Sequence, residues 1–126
     1  MKKSISILIS SIIMIAASNA LALSCADTVG TWHGNMGSVM HNTSLTIEST
    51  SSSMIPNASI TFDNGSTTFG AFLANCSENN GKVTVNFSGA FGQQYGSMNA
   101  TLVSSNKLQV NANLIYGGNG SGTLSK

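Results

Sequence analysis

Short runs in which apolar and polar residues alternate recur along the chain from residue 29 onward, each followed by a cluster of turn-forming residues. Leu45 and Ile47 alternate with Thr46 and Glu48, and Ile60 and Phe62 with Thr61, before Asp63-Asn64-Gly65 supplies a hairpin turn. The stretch from Ser66 to Asn75 places Phe69, Ala71 and Leu73 on one face, and Glu78-Asn79-Asn80-Gly81 turns the chain again. Val83, Val85 and Phe87 then alternate with Thr84 and Asn86, and Met98, Ala100 and Leu102 with Asn99 and Thr101. After the turn Ser104-Ser105-Asn106-Lys107, Leu108, Val110, Ala112 and Leu114 alternate with Gln109, Asn111 and Asn113. The glycine-rich Gly117-Gly118-Asn119-Gly120 precedes a last short run around Thr123-Leu124. With a first strand over 29–36, the pattern predicts about eight strands joined mostly by tight turns. Each has one apolar and one Asn/Ser/Thr face. The prediction is an all-β, single antiparallel up-and-down barrel, with a two-sheet β-sandwich as the alternative. Closing the barrel pairs the last strand with the first and removes both exposed edges.

The segment before this pattern is of a different kind. Met1-Lys2-Lys3 is a short basic start, Ile5 to Ala17 is apolar but for serines, and small residues at Ala20 and Ala22 suit cleavage after Ala22. Residues 1–22 therefore read as a signal peptide of bacterial type, and 23–126 as one β-barrel domain of about 104 residues, secreted or periplasmic. The apolar run is too short and serine-rich for a membrane span, and no second one follows.

The two cysteines, Cys25 and Cys76, are expected to pair in an oxidising compartment. The bridge closes a loop of about 50 residues, contributing about 4 kcal/mol in the chain-entropy model. The alternative, lipidation of Cys25, meets Ala22-Leu23-Ser24, which has Ala22 where the lipoprotein processing box has Leu.

Composition narrows the function classes. In residues 23–126, Ser, Thr, Asn and Gly make up 53 of 104, with three Lys, no Arg and four acids (Asp27, Glu48, Asp63, Glu78). Three scattered lysines cannot neutralise a row of phosphates, which excludes nucleic acid as a partner, and an anionic-membrane patch fails likewise. His33 and His41 show no metal-ligand spacing, and His33 is expected to point away from Trp32 while His41 lies in a loop. Gly118-Asn119-Gly120-Ser121-Gly122 has the wrong order for a nucleophile elbow. No catalytic residue, metal ligand or cofactor is assigned. Scattered carboxylates leave hydrolase chemistry as a remote alternative.

Asn-x-Ser/Thr occurs at Asn42, Asn57, Asn64, Asn75, Asn86, Asn99 and Asn119, read here as a consequence of Asn/Ser/Thr-rich outer strand faces. Such neutral faces are suited to sugars, through amide and hydroxyl hydrogen bonds.

Gly30-Thr31-Trp32, then four residues, then Gly37-Ser38 resembles the start of the calycins, the lipocalin and avidin barrels, and is closest to the avidin pattern. The resemblance implies an eight-stranded barrel with Trp32 packed across its closed end, and a ligand contact at Ser38. Gly34 stands where the avidins have a ligand-binding asparagine, and their other tryptophans are missing, since Trp32 is the only one. The alternative is that Trp32 is the largest core residue of an unrelated β-domain. Inward residues that include Ala71, Ala100, Ala112, Val83 and Val85 are small or medium, which leaves room for a cavity at one end. The longest predicted connection, Phe87 to Gly96, carries aromatics among glycines, and Phe91, Tyr95 and Trp32 are the candidates for an apolar lining. The functional expectation is a non-enzymatic binding protein that holds a small neutral or apolar ligand or recognises a neutral surface such as a glycan. The alternative is a secreted structural or host-interaction protein without a small ligand.

Overall fold

The computed structural model describes residues 22–37, 40–51, 55–63, 67–89, 96–115 and 118–126. Residues 1–21, which hold all but the last residue of the expected signal peptide 1–22, lie outside them, as do Ser38, Phe91, Tyr95 and Asn64.

A short 3-10 helix η1 (Cys25–Thr28) precedes eight strands: β1 (Gly30–Gly34), β2 (His41–Ile47), β3 (Ala58–Asp63), β4 (Thr67–Asn79), β5 (Lys82–Gly89), β6 (Gly96–Ser104), β7 (Lys107–Leu114) and β8 (Gly118–Ser125). Each pairs antiparallel with the next, and β8 returns to β1, with His33 opposite Ser125, to close the barrel. The up-and-down barrel follows from the sequence pattern, and closure rules out the sandwich.

The inward positions form one core. Trp32, Leu45, Ile47, Ile60, Phe62, Phe72, Val83, Val85, Ala100, Leu108, Val110 and Leu124 are all buried. Met36 and Met40, from the β1–β2 connection, are buried as completely as any strand residue. Outward positions are dominated by Thr, Ser and Asn, so the barrel is apolar inside and polar outside, the reverse of a barrel that faces lipid. No helix among the described residues is long and apolar enough to cross a membrane.

Five sequence-based expectations are corrected. The inward face of β4 is Gly70, Phe72 and Ala74, while Phe69 is exposed and Ala71 and Leu73 lie half-buried on the outer face. Apolar residues occupy both faces of this strand, so its alternation does not choose between registers one residue apart. The register is fixed by Phe72 packing edge-to-face on Phe87, with ring centres 6.1 Å apart, and by Cys76, which must share the parity of Phe72 and Ala74 to reach Cys25. Phe72 and Trp32 accordingly fill the core.

The first strand ends at Gly34 and not at Met36, because Asn35 and Met36 turn away to lie on the glycine face of β8. A Cβ on Gly120 would overlap the carbonyl oxygen of Met36, and one on Gly122 that of Asn35. This close approach explains the third correction: Gly118, Asn119 and Gly120 do not precede the last strand but belong to it, paired with β7 from Gly118 onward. Its glycines leave space that Met36 and Met40 occupy. Fourth, His41 stands in no loop but opens β2, opposite Asp63. The predicted connection also shortens, since β5 continues to Gly89.

Up-and-down topology sorts the charges. Glu48 follows β2, Glu78 lies near the end of β4, Lys82 and Lys107 begin β5 and β7, Lys126 follows β8, and Asp27 lies in η1. All six therefore stand at the end of the barrel that η1 covers, and among the described residues only Asp63 stands at the other.

Candidate functional site

The η1 end is a structural lock. Cys25 and Cys76 are bonded, their Cα atoms 5.9 Å apart, and the Cys25 N–H donates to Glu78 Oε1 at 2.6 Å. The pairing fits an extracellular or periplasmic setting. Trp32 is fully buried, and its Nε1 donates to the carbonyl of Thr28 at 2.9 Å. Lys126 lies over its ring and donates to the carbonyls of Asp27 and Val29. Gly30 has φ +137°, and a Cβ there would stand 2.8 Å from the Lys126 side chain. The Gly-x-Trp motif thus combines a passage for Lys126 with the ring on which it rests.

A depression of about 280 Å³ is lined by His33, Gly34, Asn35, Asn42, Thr43 and Ser44. His33 faces solvent as expected, with Nδ1 2.9 Å from Ser44 Oγ across the β1–β2 ladder. Asn42, at φ +49° in a bulge of β2, donates its backbone N–H to Asn35 Oδ1 and its amide to Asp63 Oδ2. Asparagine tolerates this left-handed conformation, and its bonds stabilise the bulge. Among the described residues no group of three or more His, Cys, Asp or Glu is placed to hold a metal ion.

The larger concavity, about 420 Å³, lies on the outer wall over β7 and is lined by Ser97, Asn99, Asn111, Ala112, Asn113, Asn119, Gly120 and Ser121. Its polar side chains form two rows across three strands. Ser97 stands opposite Asn113, and Asn113 opposite Asn119; Asn99 stands opposite Asn111, and Asn111 opposite Ser121. The second row continues backward through Asn86 to Asn75 on β4. A neighbouring row runs Ser77, Thr84, Thr101, Gln109, Thr123, with Thr123 Oγ1 donating to Gln109 Oε1 at 2.8 Å. Adjacent strands lie about 4.8 Å apart and same-face residues about 6.8 Å apart along a strand, so six polar groups form a small regular grid.

This geometry accounts for most of the Asn-x-Ser/Thr motifs. Asn75, Asn86, Asn99 and Asn119 each share an exposed strand face with the hydroxyl residue two positions on. Asn57 is different: it is buried, its Nδ2 donates to the carbonyls of Ser49 and Ala74, and its Oδ1 accepts from the Ala74 N–H. Of the residues that the sequence marked for a ligand, Trp32 is placed in the core, and Ser38, Phe91 and Tyr95 fall outside the described residues. The convergence of Asn99, Asn111, Asn113 and Asn119 was visible only in part. A two-residue turn at Ser105-Asn106 predicts one register, but a bulge between Leu102 and Ser104 shifts it and sets Asn99 beside Asn111.

Compared with known proteins, the chain matches no family model, no curated protein and no solved structure.

Proposed function

We propose that this chain is a small exported binding protein without catalytic activity, and that it recognises a neutral, hydroxyl-bearing surface or ligand through the wall formed by β5 to β8. The observation that carries this reading is the separation of charge from amide. The four strands contain only two charged residues, Lys82 and Lys107, each at the first position of its strand. The wall beyond them presents aligned rows of Asn, Ser, Thr and Gln. Amides and hydroxyls each offer both donor and acceptor, which suits an uncharged partner with the same capacity. Among the described residues the inward side chains pack as one apolar core, which turns the reading toward the outer wall. Kinship with the calycins belongs to the same reading, supported by the barrel form and by Gly30-Thr31-Trp32 at its covered end.

The test is electrophoresis of the disulfide-bonded protein in native gels cast with uncharged polysaccharides (α-glucan, β-glucan, mannan, galactomannan), with an array of neutral oligosaccharides beside it. Retardation by at least one is the expected result. If none retards the chain and no array spot binds it, the reading fails. A reproducible extra mass in the native mass spectrum, lost on denaturation, would move the site to the interior.

A further inference from the structure

The geometry points to a specific site within that wall: we infer that the groove over β7 is a glycan-binding site that takes two or three neutral sugar rings lying across β6, β7 and β8. The inference rests on the proposed function above and names its site and ligand class. The groove stands toward the β7–β8 turn, at the opposite end of the barrel from the six gathered charges. Its lining contains no ionisable side chain, so an anionic or cationic ligand finds no counter-charge there. Its floor is the backbone of Ala112 and Gly120, whose positions alternate with those of the outward side chains, so the chain is approached closely without bulky groups in the way.

The amides are arranged to bind. Asn111 Nδ2 lies 3.4 Å from Asn99 Oδ1, a long bond that orients both side chains and leaves each with further donor and acceptor capacity. An amide that presents one donor and one acceptor side by side matches a pair of neighbouring sugar hydroxyls, one accepting and the other donating. The step from strand to strand, about 4.8 Å, is close to the advance per ring of an extended glycan, so Asn99, Asn111 and Ser121 meet successive rings of a chain lying across the strands. Barrel curvature limits one rigid ligand to about three strands, because outward side chains diverge beyond that. The long asparagine row therefore serves as a binding site only where the groove lies, and Asn75 at its far end is a residue of the same chemistry outside the site.

The experiment uses the full disulfide-bonded protein with the polysaccharide that retards it most, and compares Asn111→Ala, Asn119→Ala and Asn75→Ala. Far-ultraviolet circular dichroism and thermal midpoints confirm that each variant is folded. Asn111→Ala and Asn119→Ala are each expected to weaken the interaction about tenfold, the effect of losing a hydrogen-bonding amide, and Asn75→Ala less than about twofold. Equal effects at all three positions, or an effect at Asn75 alone, would overturn the groove while leaving recognition by the wall intact. Retardation of none of the proteins by any polysaccharide would overturn both.

Discussion

The ammonium of Lys126 stands 4.7 Å from the centre of the Trp32 ring while donating to the carbonyls of Asp27 at 2.7 Å and Val29 at 3.2 Å. One side chain thus ties the strand end of β8 to η1 and to the start of β1, across the seam that closes the barrel. Lys126→Met keeps the aliphatic stem and removes the charge and its hydrogen bonds. It is expected to cost about 1–2 kcal/mol, the sum of an exposed cation–π contact and charge-assisted bonds. Trp32 is the only tryptophan, so its emission reports the transition directly in a urea titration. Lys126→Arg should retain most of the stability, and a variant Lys126→Met as stable as the parent would remove the latch from the account.

The Cys25–Cys76 bond holds η1 against β4, spanning 51 positions of sequence. Its removal acts mainly by releasing the unfolded chain. The double variant Cys25→Ala, Cys76→Ala is expected to lose about 2–5 kcal/mol with the barrel retained in the remaining folded fraction. Chemical denaturation with and without reductant checks this. A midpoint unaffected by reduction would show that strand pairing alone fixes the η1 end.

Much of this fold was legible in the sequence, and the failures share a cause. Val83, Val85 and Phe87 alternate with polar neighbours on a strand that has one wet face, so face and register followed together. On β4, Phe69, Ala71, Phe72, Leu73 and Ala74 are apolar on both faces, and only long-range partners, Phe87 and Cys25, chose between them. Gly118 and Gly120 read as preceding the last strand because local propensity is against a strand there, while the close approach of the Met36 carbonyl demands glycine at position 120. The polar grid was the least visible feature. Each Asn-x-Ser/Thr motif lies within one strand, and the alignment of Asn99 with Asn111 depends on a bulge that no local pattern announces.

At the seam, Gly120→Ala introduces a Cβ into the carbonyl of Met36, a backbone atom that cannot move aside without displacing the β1–β2 connection. We expect a loss of at least about 2–3 kcal/mol, in the range of overpacked cores. Ser121→Ala, one residue on and facing outward, should stay within about 0.5 kcal/mol of the parent. Equilibrium unfolding of the pair separates seam from surface. Equal stabilities would mean that Asn35 and Met36 are free to shift.

Asn57 makes the same comparison for buried polarity. Its side chain bonds to the carbonyls of Ser49 and Ala74 and to the Ala74 N–H, while its backbone N–H donates to the Phe72 carbonyl and its carbonyl accepts from Glu48. Asn57→Ala leaves the Ala74 N–H and carbonyl without these partners and is expected to cost about 2–4 kcal/mol. Asn86→Ala, exposed on β5, should change stability by less than about 0.5 kcal/mol. Thermal denaturation of both variants tests whether one asparagine in the set is structural while its neighbours are surface groups.

The separation of charge from the amide wall also fixes how binding responds to salt. Contacts between neutral amides and neutral hydroxyls are not screened, whereas ion pairs at the surface weaken as the Debye length falls from about 10 Å at 0.1 M to about 3 Å at 1 M salt. Retardation by an uncharged polysaccharide should therefore change less than about twofold between low and near-molar sodium chloride, a range over which exposed charge contacts are largely lost. Lys82→Gln and Lys107→Gln, which remove the only charges on β5 to β8, should leave it unaltered. A several-fold loss in high salt, reproduced by either lysine variant, would place recognition at the covered end, beside η1, and take it away from the asparagine rows.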